Sequence, residues 1–195
     1  MAKQASETEV TDPLPTSKKL EELYQLIDGI EIALLTTRTL EGALVSRPMQ
    51  TQARRAGTDL WFMTNIDSGK IDELAFDPHV NLGYYKDGSR EYVSVSGTAR
   101  VTRDKQMIHQ LYKPDWKAWL GDEGDERNGG PDDPRIALIE VEADSASYLK
   151  STDSRLVTLF KVAKAIATGT PPKTGDAGNL NADELSRGEA RVSDR

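Results

Sequence analysis

Two runs, Ser46-Arg47-Pro48-Met49 and, after a polar turn, Trp61-Phe62-Met63-Thr64-Asn65-Ile66-Asp67-Ser68-Gly69-Lys70, decide how this chain is read. Around the first run, Ala43, Val45, Arg47 and Met49 alternate onto one face, as in a strand. Arg55-Ala56-Gly57-Thr58 supplies a turn, and Asp59 to Thr64 reads as the returning strand. The chain breaks at Asn65 and restarts as a helix at Ser68, with Asp72 and Glu73 in its first turn. A helix start offers free backbone N–H groups and the positive end of the helix dipole, which together suit an anion. Thr64 and Ser68 add hydroxyls, and Lys70 and Arg47 add full charges, a set matched to one dianionic phosphate. Two plainer readings stand beside this one: Ser68 as an ordinary N-cap and Lys70 as a solvated lysine.

The order and spacing Ser46-Arg47-Pro48-Met49, Trp61-Phe62-Met63-Thr64-Asn65-x-x-Ser68-x-Lys70 and Tyr92-Val93-Ser94-Val95-Ser96-Gly97-Thr98-Ala99-Arg100-Val101 resembles the FMN-binding split-barrel superfamily. This is the pyridoxamine 5'-phosphate oxidase-like group, and the branch it looks most like is that of the general stress protein 26-like proteins. The resemblance runs from about Leu20 to Ser151. It implies one FMN per site, with Arg47, Ser68 and Lys70 on the phosphate and Thr64 nearby. Pro48, Met49, Trp61, Phe62 and Met63 would line the ring or present backbone to it. It also implies a homodimer with FMN at the subunit seam, and NADH or NADPH as an electron donor. A flavin carries the redox chemistry itself, so no protein base is required. True pyridoxamine-phosphate oxidases have an Arg-x-His substrate motif and an extra C-terminal dimer segment. Here Asp77 stands two residues before His79 and Met107 two before His109, so pyridoxamine 5'-phosphate is not the expected substrate. Haem-degrading relatives need an axial histidine, for which neither His has context. Three readings stay open: an FMN-dependent oxidoreductase or flavin reductase, a flavin-binding stress protein without turnover, and a deazaflavin-binding relative.

Bulk properties narrow the classes. The 195 residues are 37% hydrophobic and 29% charged, enough for one core with a charged surface. A net charge of −7 argues against a nucleic-acid backbone binder. Without cysteine there is no disulfide, thiol catalysis or thiolate metal site. His79 and His109 have no ligand spacing for zinc. No apolar run reaches the about 20 residues of a membrane helix, and the polar N-terminus does not read as a signal peptide, so the cytoplasm is the expected location.

Taken in order, residues 1–16 read as a disordered arm, 17–151 as the domain, 152–169 as an amphipathic helix and 170–195 as a disordered tail. A packing helix spans about Ser17 to Asp28, stopped by Gly29. Ile30 to Thr37 reads as a strand too apolar to be half exposed. Pro48 donates nothing to a ladder, so its strand, Ala43 to Ala53, is an edge or is bulged there. The segment is then either a plain edge or an opening toward a ligand. His79 to Lys86 and Glu91 to Arg103 are hairpin strands about Asp87-Gly88, and Gly97 marks a bulge where a sheet curls. Asp104 caps a helix to about Leu111. Trp116 and Trp119 are core or interface anchors, with Trp119 the candidate to cover a flavin because it adjoins a loop. The acidic loop Gly121 to Pro134 lacks calcium-loop spacing and reads as solvated. Arg135 to Ser147 is the last strand, and Asp153 or Ser154 caps the final helix through Leu156, Leu159, Phe160, Ala163 and Ile166. Hairpin-linked strands with inserted helices predict a mainly β protein, an antiparallel barrel with peripheral helices, and the resemblance implies that it is a split barrel of the FMN-binding type.

Overall fold

The computed structural model describes residues 14–54, 60–151, 157, 161, 164–165 and 175–186. The expected arm up to residue 13, the turn at 55–58 and the tail beyond 186 lie outside these. So does most of the expected helix 152–169, of which the four described positions are helical.

The chain runs α1 (Thr16–Ile30), β1 (Ile32–Arg38), β2 (Leu44–Gln50), β3 (Leu60–Asn65), α2 (Lys70–Phe76), β4 (His79–Lys86), β5 (Glu91–Thr102), α3 (Lys105–Leu111), α4 (Trp116–Leu120), β6 (Ile136–Ser151) and β7 (Gly175–Asn181). All strand pairs are antiparallel, in the order β2-β1-β4-β5-β6-β3, with β7 also on β6. The sheet curls until its two ends meet at one bridge, Thr51 to Phe62, and at Gln52 N–H to the Trp61 carbonyl (2.8 Å). It does not close further. The fold is the antiparallel split barrel that the sequence predicts.

Curling needs a close approach of backbones, and Gly97 provides it. The β5–β6 register shifts between Ser96 and Gly97, and a Cβ built on Gly97 would overlap the Glu142 carbonyl oxygen. Inside the curl pack Leu35, Phe62, Leu82, Tyr84, Val93, Val95, Ile139 and Val141, and α1 lays Leu20, Leu23, Leu26 and Ile27 on this core. Each such side chain contributes about 1.5–3 kcal/mol of burial. A second cluster lies outside the sheet: Trp61, Ile136 and Leu138 covered by Ile108, Leu111, Trp116 and Leu120 of α3 and α4. Pro48 lies on an edge strand, as its missing N–H requires. Asp104 caps α3 by accepting from the Gln106 and Met107 N–H groups.

Several expectations are corrected. β1 is half exposed, with Ile32 at 46% and Leu34 at 50%, because among the described residues no layer covers its outer face. α1 runs through Gly29 to Ile30 and ends on Glu31 at φ 67°. The first half of β6 does alternate, but both faces are buried, one in each cluster. Residues 175–181 of the expected tail form β7, which occupies the edge of β6 from Ser145 to Ser151 that β3 leaves open. Among the described residues no helix is long and apolar enough to cross a membrane.

Candidate functional site

Because β2 and β3 touch only at one end, a cleft of about 360 Å³ opens between them. Pro48, Met49, Gln50 and Gln52 form one wall, Met63, Thr64, Asn65 and Lys70 the other, and Trp116, Trp119 and Leu120 of α4 close one side. Trp116 is buried and holds α4 down, stacked edge-on against Tyr112 at 5.5 Å. Trp119 is 80% exposed at the rim.

Lys70 is the cation of the cleft. Its Nζ donates to Ser68 Oγ (2.9 Å) and Thr64 Oγ1 (3.1 Å). Partial burial lowers its pKa, the neighbouring Arg47 charge lowers it further, and Glu73 works against both. The helix starts at Lys70, two residues later than predicted, and Ser68 does not cap it. The Ser68 hydroxyl faces the ammonium instead, and the Ser68 and Ile71 N–H groups are used within the turn, by the Asn65 and Ser68 carbonyls. The side-chain contacts here thus join one lysine to two hydroxyls.

Arg47 is near Lys70 but not among the residues lining the cleft. It donates to both Glu73 oxygens, 2.7 Å each, and to Thr37 Oγ1 (2.9 Å), while Thr37 donates to Glu73 (2.6 Å). These contacts, the arginine first, hold the Glu73 carboxyl below its usual range. The three charges sum to a single positive one. Of the other expected residues, Pro48, Met49, Met63, Thr64, Lys70 and Trp119 come together on the cleft. Trp61 and Phe62 do not line it: Phe62 points into the barrel core and Trp61 into the second cluster. Ser68 reaches it through Lys70.

Gln52 is a wall residue that sequence reasoning missed. Only 4% exposed, it donates Nε2–H to the Gln50 carbonyl (3.0 Å), while its Oε1 has no partner among the described residues. An unpaired buried acceptor costs about 1–3 kcal/mol. The Trp116 Nε1–H is also buried and unpaired, as is Trp61 Nε1–H behind it. Arg135, the expected start of the last strand, precedes β6 by one residue. It is buried and donates to the carbonyls of Leu120 (2.7 Å), Gly121 (2.9 Å) and Arg127 (2.8 Å). It also pairs with Asp133 (2.7 Å), whose carboxyl it holds far below the usual range. The acidic loop is therefore not simply solvated: it folds about this guanidinium, which fixes the end of α4 beside Trp119.

Comparison with known proteins agrees with the geometry. Residues 18–173 match the family model described as pyridoxamine 5'-phosphate oxidase like. The chain belongs to that family. It is 35% identical over 175 residues to protein bli-3 of Neurospora crassa, covering 88% of this chain and 84% of that one. Among solved structures of such proteins, one from Clostridium acetobutylicum related to general stress protein 26 superposes with a TM-score of 0.61 at 14% identity, over 88% of this chain and 99% of that one. The general stress FMN/FAD binding protein of Xanthomonas citri matches with a TM-score of 0.56 at 26% identity, over 68% and 88% of the two chains.

Proposed function

We propose that this chain binds one FMN in the cleft and serves as an FMN-dependent oxidoreductase or flavin reductase with NADH or NADPH as donor. The observation that carries the reading is Lys70, held by Thr64 and Ser68 in the wall of a cleft otherwise lined mainly by Met49, Met63, Trp119 and Leu120. A cation in a cleft of mainly apolar lining fits a phosphate joined to a ring. Family membership and the FMN/FAD binding Xanthomonas citri protein support the same cofactor class.

The residues present fit such a group. Lys70, with the hydroxyls of Thr64 and Ser68 beside it, would hold the phosphate of such a group. Arg47 stays on Glu73 and adds field rather than contact. Bound there, a flavin supplies hydride and electron transfer, and the chain supplies orientation and exclusion of water. We further propose a homodimer that covers the outer sheet face, where Ile32, Leu34, Leu44, Pro48, Tyr85 and Tyr92 are exposed. Ile32 and Pro48 also border the cleft, so that seam passes the cofactor.

The absorption spectrum of the purified protein tests this. Flavin bands, FMN rather than FAD in the boiled supernatant, and bleaching by NADH or NADPH without air are expected. A protein that copurifies colourless and takes up no added FMN overturns the reading.

A further inference from the structure

We infer that Trp119 is a positioning residue for the electron donor, holding the planar nicotinamide ring of NADH or NADPH at the mouth of the cleft, a role that rests on the flavin reading of that cleft. Trp119 lines the cleft and is 80% exposed, so its ring is open to a ligand. Tryptophans are highly buried on average, because so much apolar surface gains by leaving water. Here the backbone of α4 keeps the ring out. Trp116, three residues earlier, is buried and stacked edge-on against Tyr112 at 5.5 Å, and the next residue, Leu120, is buried as well. The carbonyls of Leu120 and Gly121 accept from the Arg135 guanidinium at 2.7 and 2.9 Å. The Gly121 N–H closes on the Lys117 carbonyl at 2.9 Å. A large flat ring is thus presented at the rim from fixed backbone, with only its side-chain torsions left to adjust it.

What the ring meets follows from size. A cleft of about 360 Å³ lies at the lower end of sites that enclose one small ligand, so one flavin nucleotide fills it. Hydride transfer needs the reacting atoms about 3–3.5 Å apart, which lays the donor ring against the flavin. With the flavin between the walls at Met49 and Met63, the donor ring is left the mouth, where Trp119 is the exposed aromatic side chain among the lining residues. Stacked there, the donor ring has the flavin on one side and the indole on the other. A hydride, with its two electrons, leaves the dihydropyridine, which becomes the pyridinium, and passes to the oxidised flavin. An indole face also suits the cationic ring that remains.

The test uses the full-length chain loaded with FMN. The probes are tetrahydro-NADH and tetrahydro-NADPH, whose further reduced ring gives no hydride, and binding is read from the change in flavin absorption. Trp119→Ala should weaken the probe that binds by about tenfold. Trp119→Phe should recover most of that loss and Trp119→Leu little of it, while FMN affinity stays as in wild type. A second readout needs no variant. Trp61 and Trp116 are buried, so acrylamide added to the protein quenches Trp119 first. FMN alone should leave Trp119 open to acrylamide, and the probe should shield it. Loss of FMN affinity in Trp119→Ala, or shielding by FMN alone, overturns the inference and makes Trp119 a cover for the flavin itself. A probe that binds wild type and Trp119→Ala equally, or binds neither, overturns it too and leaves the flavin reading standing. Wild type that takes up no FMN overturns the flavin reading, and this role with it.

Discussion

Lys70 and Arg47 stand near one another yet predict different losses. Among the described residues Lys70 has only hydroxyl partners, so Lys70→Ala should cost FMN about 1.5–3 kcal/mol of binding, a charge-assisted contact, and leave riboflavin nearly untouched. Arg47→Ala should cost little affinity but about 1–3 kcal/mol of stability, because Glu73 loses its bidentate partner; matched FMN titrations and thermal melts separate the two. The pH response follows from Lys70. Its pKa is lowered by burial, then by Arg47, so the ammonium is lost at lower pH than in a free lysine. FMN affinity is therefore complete at neutral pH and falls as pH rises, beginning below the ordinary lysine range. Lys70→Arg should move that fall to higher pH, read from FMN affinity against pH. Thr64, Ser68 and Lys70 were legible because they are close in sequence. Glu73 lies in the same stretch, but only the fold brings β2 against α2 and pairs Arg47 with it.

At the scale of elements, local rules held where the chain makes its own contacts: the β4–β5 hairpin, the Asp104 cap, the Gly97 bulge and the edge position of Pro48. They failed where a distant partner decides. Gly175-Asp-Ala-Gly-Asn-Leu-Asn181 has little strand propensity, yet β6 offers it a row of unpaired backbone groups and Leu180 a place in the core. Gly178 is the tightest point of that strand, since a Cβ there would overlap the Tyr148 ring. Tyr148 cannot yield easily, being buried with its hydroxyl donating to Glu22 of α1 (3.0 Å). Gly178→Val should thus cost about 1–3 kcal/mol by overpacking. Hydrogen exchange should then quicken at Ser145 to Ser151 and stay unchanged where β6 meets β3.

For the molecule as a whole, the periodicity of the strands made the sheet readable, but not that β1 would carry Ile32 and Leu34 on an uncovered face. An apolar strand looks the same whether its second side meets its own chain or another. The proposed dimer predicts that Leu34→Glu, which places charge beside Pro48 and Gly83, yields monomers in sedimentation equilibrium. Wild type should sediment at twice the 21.5 kDa chain mass at micromolar concentration. A wild-type monomer with full FMN affinity would sink the seam.

The Arg135 guanidinium makes the molecule unequal in its response to ionic strength. Pairs such as Arg38–Asp77, Lys117–Asp122 and Arg127–Asp67 lie at the surface, where about 1 M salt shortens the reach of a charge to about 3 Å. The Arg135 guanidinium is buried, and so is its bond to the Leu120 carbonyl, so the end of α4 keeps its place in brine. Half-buried Lys70 enjoys less of that shelter. Raising salt should therefore erode the advantage of FMN over riboflavin while Trp119 fluorescence holds steady, turning the phosphate contact into a salinity-graded one on an unmoving frame.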